Sequence, residues 1–243
     1  MTVWTALFWG AFSSASLYLG EALARPMGPR KHLTGLVMGF GAGTLLSAVA
    51  YELVPESGLT HQGLKVSVGV LTGAVAYFVG DRLVDRSGGH DRQKIGDPEG
   101  ESSGPAMFVG ALLDGVPESF ILGSTVAAGG SVSVAFVAAV FVSNVPQGVA
   151  GTTSLQKAGY SPRRIFWMWT ALTVACALVA ASGFLLADHL ASGSVYAESF
   201  AGGAVLTMLA DSMMPEAFEN GGDEVGLLTV LGFLVAGVLT VLQ

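Results

Sequence analysis

Gly39-Phe40-Gly41-Ala42-Gly43, running on to Leu53-Val54-Pro55-Glu56-Ser57, is matched without a gap by a second stretch. That stretch is Ser199-Phe200-Ala201-Gly202-Gly203, running on to Met213-Met214-Pro215-Glu216-Ala217. In this register Phe40 falls on Phe200, Gly43 on Gly203, Leu46 on Leu206, Ala50 on Ala210 and Pro55-Glu56 on Pro215-Glu216. Each copy is apolar, glycine-rich and long enough for a membrane helix. The chain therefore reads as one unit used twice.

Composition identifies the solvent of that unit. Mean hydropathy is +0.61, and only 12% of residues are charged, where a soluble domain carries about a quarter. Apolar windows with charges confined to the gaps predict eight membrane helices, at about 3–24, 33–54, 63–81, 104–128, 131–157, 163–187, 196–217 and 224–242. Backbone polar groups must be satisfied within the lipid, so the expected fold class is all-α, a polytopic helical bundle. The net charge of −7 argues against a nucleic-acid partner, which calls for a basic surface. The lone Cys176 lies in an apolar run and supports no disulfide framework. The first apolar run lacks a basic leader and a small-residue cleavage site, and reads as a retained helix.

Charge orients the bundle. Of the eleven Lys and Arg, only Lys65 departs from one side of the predicted topology. Arg25, Arg30 and Lys31 follow the first helix; Arg82, Arg86, Arg92 and Lys94 follow the third; Lys157, Arg163 and Arg164 follow the fifth. By the positive-inside rule these loops are cytoplasmic and both termini are outside. The two copies of the opening repeat then cross in opposite directions. Such inverted repeats characterise secondary transporters, whose substrate lies near the bilayer midplane between the copies. Residues 85–103, rich in Gly, Ser, Asp and Glu, read as a flexible cytoplasmic loop within a single domain spanning 1–243. Its His90 reads as a solvated residue or a metal-capturing one.

The chemistry is expected in the fourth and fifth helices. Leu113-Asp114-Gly115-Val116-Pro117-Glu118-Ser119 puts two carboxylates four residues apart, on one helical face. Buried charges there cost at least ~2.5–3.5 kcal/mol each on insertion scales and mark function. The spans offer no Lys or Arg to neutralise them, so a divalent cation is the natural partner. The bland reading is a protonated pair bonded to neighbouring helices. Pro117 has no N–H, which frees the carbonyl of Leu113 one turn back. Ser143-Asn144-Val145-Pro146-Gln147-Gly148 repeats the device: Val145-Pro146 aligns with Val116-Pro117, and Gln147 with Glu118. Asn144 and Gln147 offer neutral oxygens, or serve as hydrogen bonds between helices.

These paired Pro-centred motifs, in an eight-helix chain with a variable cytoplasmic third loop, resemble the ZIP (Zrt/Irt-like) family of divalent metal transporters. The resemblance covers essentially the whole chain and is strongest over 104–157 and 196–217. It implies a 3+2+3 arrangement, with helices one to three related to six to eight around the central pair, and a homodimer. The family pattern His-Asn-x-Pro-Glu-Gly on helix four stands here as Asp114-Gly115-Val116-Pro117-Glu118-Ser119, and on helix five Gln147 takes the place of a Glu. Asp211, four residues before Pro215, matches an acidic position of the family on helix seven. The expected metal ligands are therefore Asp114, Glu118, Asn144, Gln147 and Asp211.

The departures carry meaning. No histidine falls in a central span, since His32, His61, His90 and His189 lie at helix ends or in loops. One metal site, built from carboxylate and amide oxygens with no imidazole or thiolate nearby, is expected in place of a paired centre. That donor set favours harder ions such as Mn²⁺, Mg²⁺ or Ca²⁺ over Zn²⁺, whereas the family favours zinc or iron. Tyr51, Glu52 and Glu56 could form a cation-concentrating vestibule or be ordinary helix-end residues. Met107, Met208, Met213 and Met214 offer thioethers but more commonly pack. Trp167 and Trp169, near Arg163 and Arg164, read as an interfacial belt.

The expected function is alternating-access transport of a divalent cation (Zn²⁺, Fe²⁺, Mn²⁺ or similar) in the prokaryotic cell (inner) membrane. The ion is the substrate, and no cofactor or enzymatic activity is expected. Neither a Gly-x-x-x-x-Gly-Lys-Ser/Thr loop nor His-Glu-x-x-His occurs, which excludes a P-loop ATPase and argues against a membrane metalloprotease. The alternative is a non-transporting homologue, acting as a metal sensor or a structural membrane protein.

Overall fold

A computed structural model describes residues 1–27, 30–53, 56–84, 86, 104–127, 133–189 and 194–242. The loop expected at 85–103, apart from Arg86, lies outside the described residues, as do His90 and the side chains of Glu52 and Glu56.

The described chain is helical. In order it forms α1 (Val3–Ser14), α2 (Ser16–Met27), α3 (Lys31–Ala48), α4 (Glu56–Val84), α5 (Gly104–Ala127), α6 (Val134–Lys157), α7 (Pro162–His189), α8 (Ser194–Met208), α9 (Met214–Gly221) and α10 (Val225–Val241). Five helical stretches among the described residues are long and apolar enough to cross a membrane: Lys31–Tyr51, Gly63–Val84, Val134–Lys157, Pro162–Ala187 and Val195–Val241. The chain is an integral membrane protein.

The difference from eight expected spans has local causes. The first span is broken at Ala15. There the Ser13 and Ser14 hydroxyls both donate to the Gly10 carbonyl, at 3.2 and 3.0 Å, and Ser16 donates to that of Ser13 at 2.7 Å. Such back-bonding competes with the helix ladder and bends it. α5 carries Asp114, Pro117, Glu118 and Ser119 inside its 24-residue apolar run. The last two expected spans run together as α8 to α10, turning at Gly222, whose φ of 69° suits glycine.

The sequence repeat reappears as local geometry. A π-helical turn follows α3 at Val49–Leu53 and another follows α8 at Leu209–Met213, the same positions at the same 160-residue offset. In the sequence a proline, Pro55 or Pro215, follows each turn two residues on and has no N–H to donate. Packing follows suit: α3 lies along α10, and α8 lies along α4. A Cβ at Gly232 would fall 2.1 Å from the Phe40 carbonyl oxygen, and one at Gly73 would fall 1.8 Å from that of Phe200, the repeat partner of Phe40. Close backbone approach between small residues is how membrane helices associate.

Around these pairs α5 packs on α7 and α8, α6 packs on α2 and α3, and α1 crosses α7. Trp169 corrects the interfacial reading: it is buried over Gly151, with its indole N–H donating to Thr152 Oγ1 at 3.0 Å. Trp167 is exposed.

Candidate metal centre

Four helices converge on one small internal cavity. Its wall carries Asp114 and Glu118 from α5, with Ser143, Asn144 and Gln147 from α6. Met38 of α3, Met208 of α8 and Met213 of the adjoining π-helical turn complete it. The cavity measures about 20 Å³, room for a water or a small ion. Asp114 and Glu118 are 4% and 3% exposed, so both carboxylates have left bulk water. No Lys or Arg is among the described residues that line it.

Asp114 is held at both ends. Tyr77 of α4 donates its hydroxyl to Oδ1, and Gln147 Nε2 donates to Oδ2 at 3.0 Å. Gln147 spends its N–H on Asp114 and keeps its carbonyl oxygen as an acceptor. Pro117 and Pro146 stand inside α5 and α6, and each removes one helix bond from a carbonyl one turn back.

The structure thus brings Asp114, Glu118, Asn144 and Gln147 together. Asp211 lies apart: it is exposed in the π-helical turn and is not on the cavity wall. Tyr51, its counterpart in the first copy, is likewise exposed, with its ring 5.9 Å from that of Phe233.

Three residues that sequence reasoning passed over belong near this site. Tyr77 fixes Asp114; a phenol that far into a span needs an acceptor, and that requirement was its only signal. Met38 adds a thioether. Cys176 packs against α5 beside Gly115 and is not on the cavity wall. A Cβ on Gly115 would lie 2.8 Å from Cys176 Sγ. The glycine that stands where the family pattern has Asn is what admits the sulfur.

A protein of Arabidopsis thaliana named "Putative zinc transporter" is similar to this chain. It is 27% identical over 193 residues, covering 76% of this chain and 30% of that protein. The chain thus matches less than a third of that relative's length. No protein-family model matches the chain.

Proposed function

We propose that the chain is a divalent-cation transporter of the ZIP type, moving its ion by alternating access through the Asp114/Glu118 centre. The observation that carries this reading is the pair of carboxylates, buried on one face of a helix in a membrane bundle and lining a cavity with no basic residue among the described residues of its wall. A divalent ion compensates both charges at once, and the oxygens of Asn144 and Gln147 extend the donor set. The likeness to a protein named as a zinc transporter supports the same reading. So do the repeated π-helical turns and the matched α3–α10 and α8–α4 packing, which fit an eight-span 3+2+3 inverted repeat.

The donor set is mixed rather than hard. Met38, Met208 and Met213 share the cavity wall with the carboxylates. Soft sulfur beside oxygen favours Zn²⁺ over Mg²⁺ and Ca²⁺, which shifts the preference drawn from oxygens alone. Metal uptake into proteoliposomes, measured over a panel of divalent ions, tests the reading. Zn²⁺ entering ahead of Mg²⁺ is expected. Saturable binding without entry of any ion would favour the sensor alternative.

A further inference from the structure

The bundle contains two gaps that are counterparts of one another. One lies between α5, α7 and α8, lined by Val116, Pro117, Phe120, Leu186, Ala197 and Phe200, with Tyr196 at its rim. The other lies between α2, α3 and α6, with Val37, Val145, Pro146 and Val149 on its wall. Val116-Pro117 and Val145-Pro146 are the matched pairs of the two proline motifs, and Val37 and Ala197 are matched in the repeat. The counterparts differ in size: the α5–α8 gap holds about 420 Å³ and the α3–α6 gap about 70 Å³.

The larger gap is dry by construction. Its lining is almost wholly apolar, and the Tyr196 hydroxyl at its rim is already hydrogen-bonded to Thr72 at 2.9 Å. Water needs two to four polar partners to stay in such a place. The gap also opens sideways: Val116, Leu186 and Tyr196 are exposed. Exposed apolar residues adjoin it in sequence, Leu185 next to Leu186 on α7 and Leu71 next to Thr72, the partner of Tyr196, on α4. In an integral membrane protein that surface meets lipid tails. Pro117 stands mid-way along α5, next to Glu118, so the medium at this depth is hydrocarbon. A void of this size would forfeit the dispersion contacts of its walls. Its volume equals that of about fourteen waters at ~30 Å³ each, which suits a length of hydrocarbon chain.

We propose that the α5–α8 gap is a binding site for one acyl chain of a membrane lipid. The chain enters from the side and lies against Pro117, one residue from the carboxylate of Glu118. It occupies the space into which α8 would otherwise close on α5. The α3–α6 counterpart is too small to take the same chain.

The test uses the full chain in liposomes doped with a phospholipid that carries a diazirine midway along one acyl chain. After irradiation, adducts are mapped by peptide mass spectrometry. Adducts at 116–120 and 196–201 are expected to exceed severalfold those on the exposed face of α10 at Leu227, Val230 and Leu234. Ala197→Phe, which puts a ring into the gap, is expected to remove the excess and leave the α10 adducts unchanged. Equal labelling of the two regions in the wild-type protein overturns the proposal. So does an excess that survives both Ala197→Phe and Ala201→Leu in folded protein. The wild-type comparison stands even where a variant fails to fold, and no step involves metal, so this proposal and the transport reading fail separately.

Discussion

Gln147 donates its amide N–H to Oδ2 of Asp114 at 3.0 Å, tying the proline motif of α6 to that of α5. The bond ends in an amide where the aligned residue of α5, Glu118, is a carboxyl group. Gln147→Glu would exchange the donor for a second acceptor beside Asp114 and add a negative charge to the cavity. Repulsion between the carboxylates is then relieved best by a cation. Divalent-ion binding is expected to tighten by about tenfold, since ligand charge count tunes such sites. Calorimetry on the purified variant reads this. Unchanged affinity would mean that Gln147 only holds Asp114 in place.

Asp114 and Glu118 are expected to be indispensable individually. Either one alone leaves a single buried carboxylate against a divalent charge. Asp114→Ala and Glu118→Ala should each reduce uptake by more than tenfold, a loss above about 1.4 kcal/mol in ion stabilisation. Both variants are expected to fold, with Asp114→Ala the less stable of the two because it takes an acceptor from the Tyr77 hydroxyl and the Gln147 amide. Uptake and thermal melting measured on the same preparations decide this. Wild-type uptake in both variants would remove the metal role from α5.

What the sequence made legible was what repeats along one helix. The four-residue spacing of Asp114 and Glu118 puts both on one face whatever the tertiary fold, and the Val-Pro pairs placed Asn144 and Gln147 opposite. Tyr77, Met38 and Cys176 come from α4, α3 and α7, and only packing brings them in. Asp211 shows the converse limit. Its distance from Pro215 is right on paper, but it sits in a π-helical turn, which adds a residue and rotates the local face by about 100° relative to a regular helix. The same turn carries Tyr51 outward in the first copy. The break at Ala15 comes from serine hydroxyls bonding to carbonyls, which hydropathy windows do not register.

The contact of Gly115 with Cys176 predicts a size-dependent pair. Gly115→Ala would press a methyl to 2.8 Å from Sγ, and overpacking of this kind costs about 1–3 kcal/mol. Cys176→Ala removes the sulfur and makes the room. The double variant is therefore expected to melt above Gly115→Ala alone, by several degrees. Equal melting of the single and double variants would show that the methyl meets something other than the thiol.

The matched glycines give the strictest test of the repeat, because they compare two distant helix crossings. Gly73 on α4 faces the Phe200 carbonyl, Gly232 on α10 faces the Phe40 carbonyl, and the added Cβ would stand 1.8 and 2.1 Å from the oxygen. Neither carbonyl can swing away without breaking its own helix bond, so the helices must separate. Gly73→Ala and Gly232→Ala are expected to destabilise the protein by similar amounts, about 1–3 kcal/mol each. The two sites share no partner, so the double variant should show close to the summed loss. Gly63 is the control: a Cβ there meets nothing within 4 Å, and Gly63→Ala should leave melting unchanged or slightly raised. A large loss from one crossing and none from the other would mean that the two copies no longer carry equivalent loads, and the repeat would survive only as a pattern in the sequence.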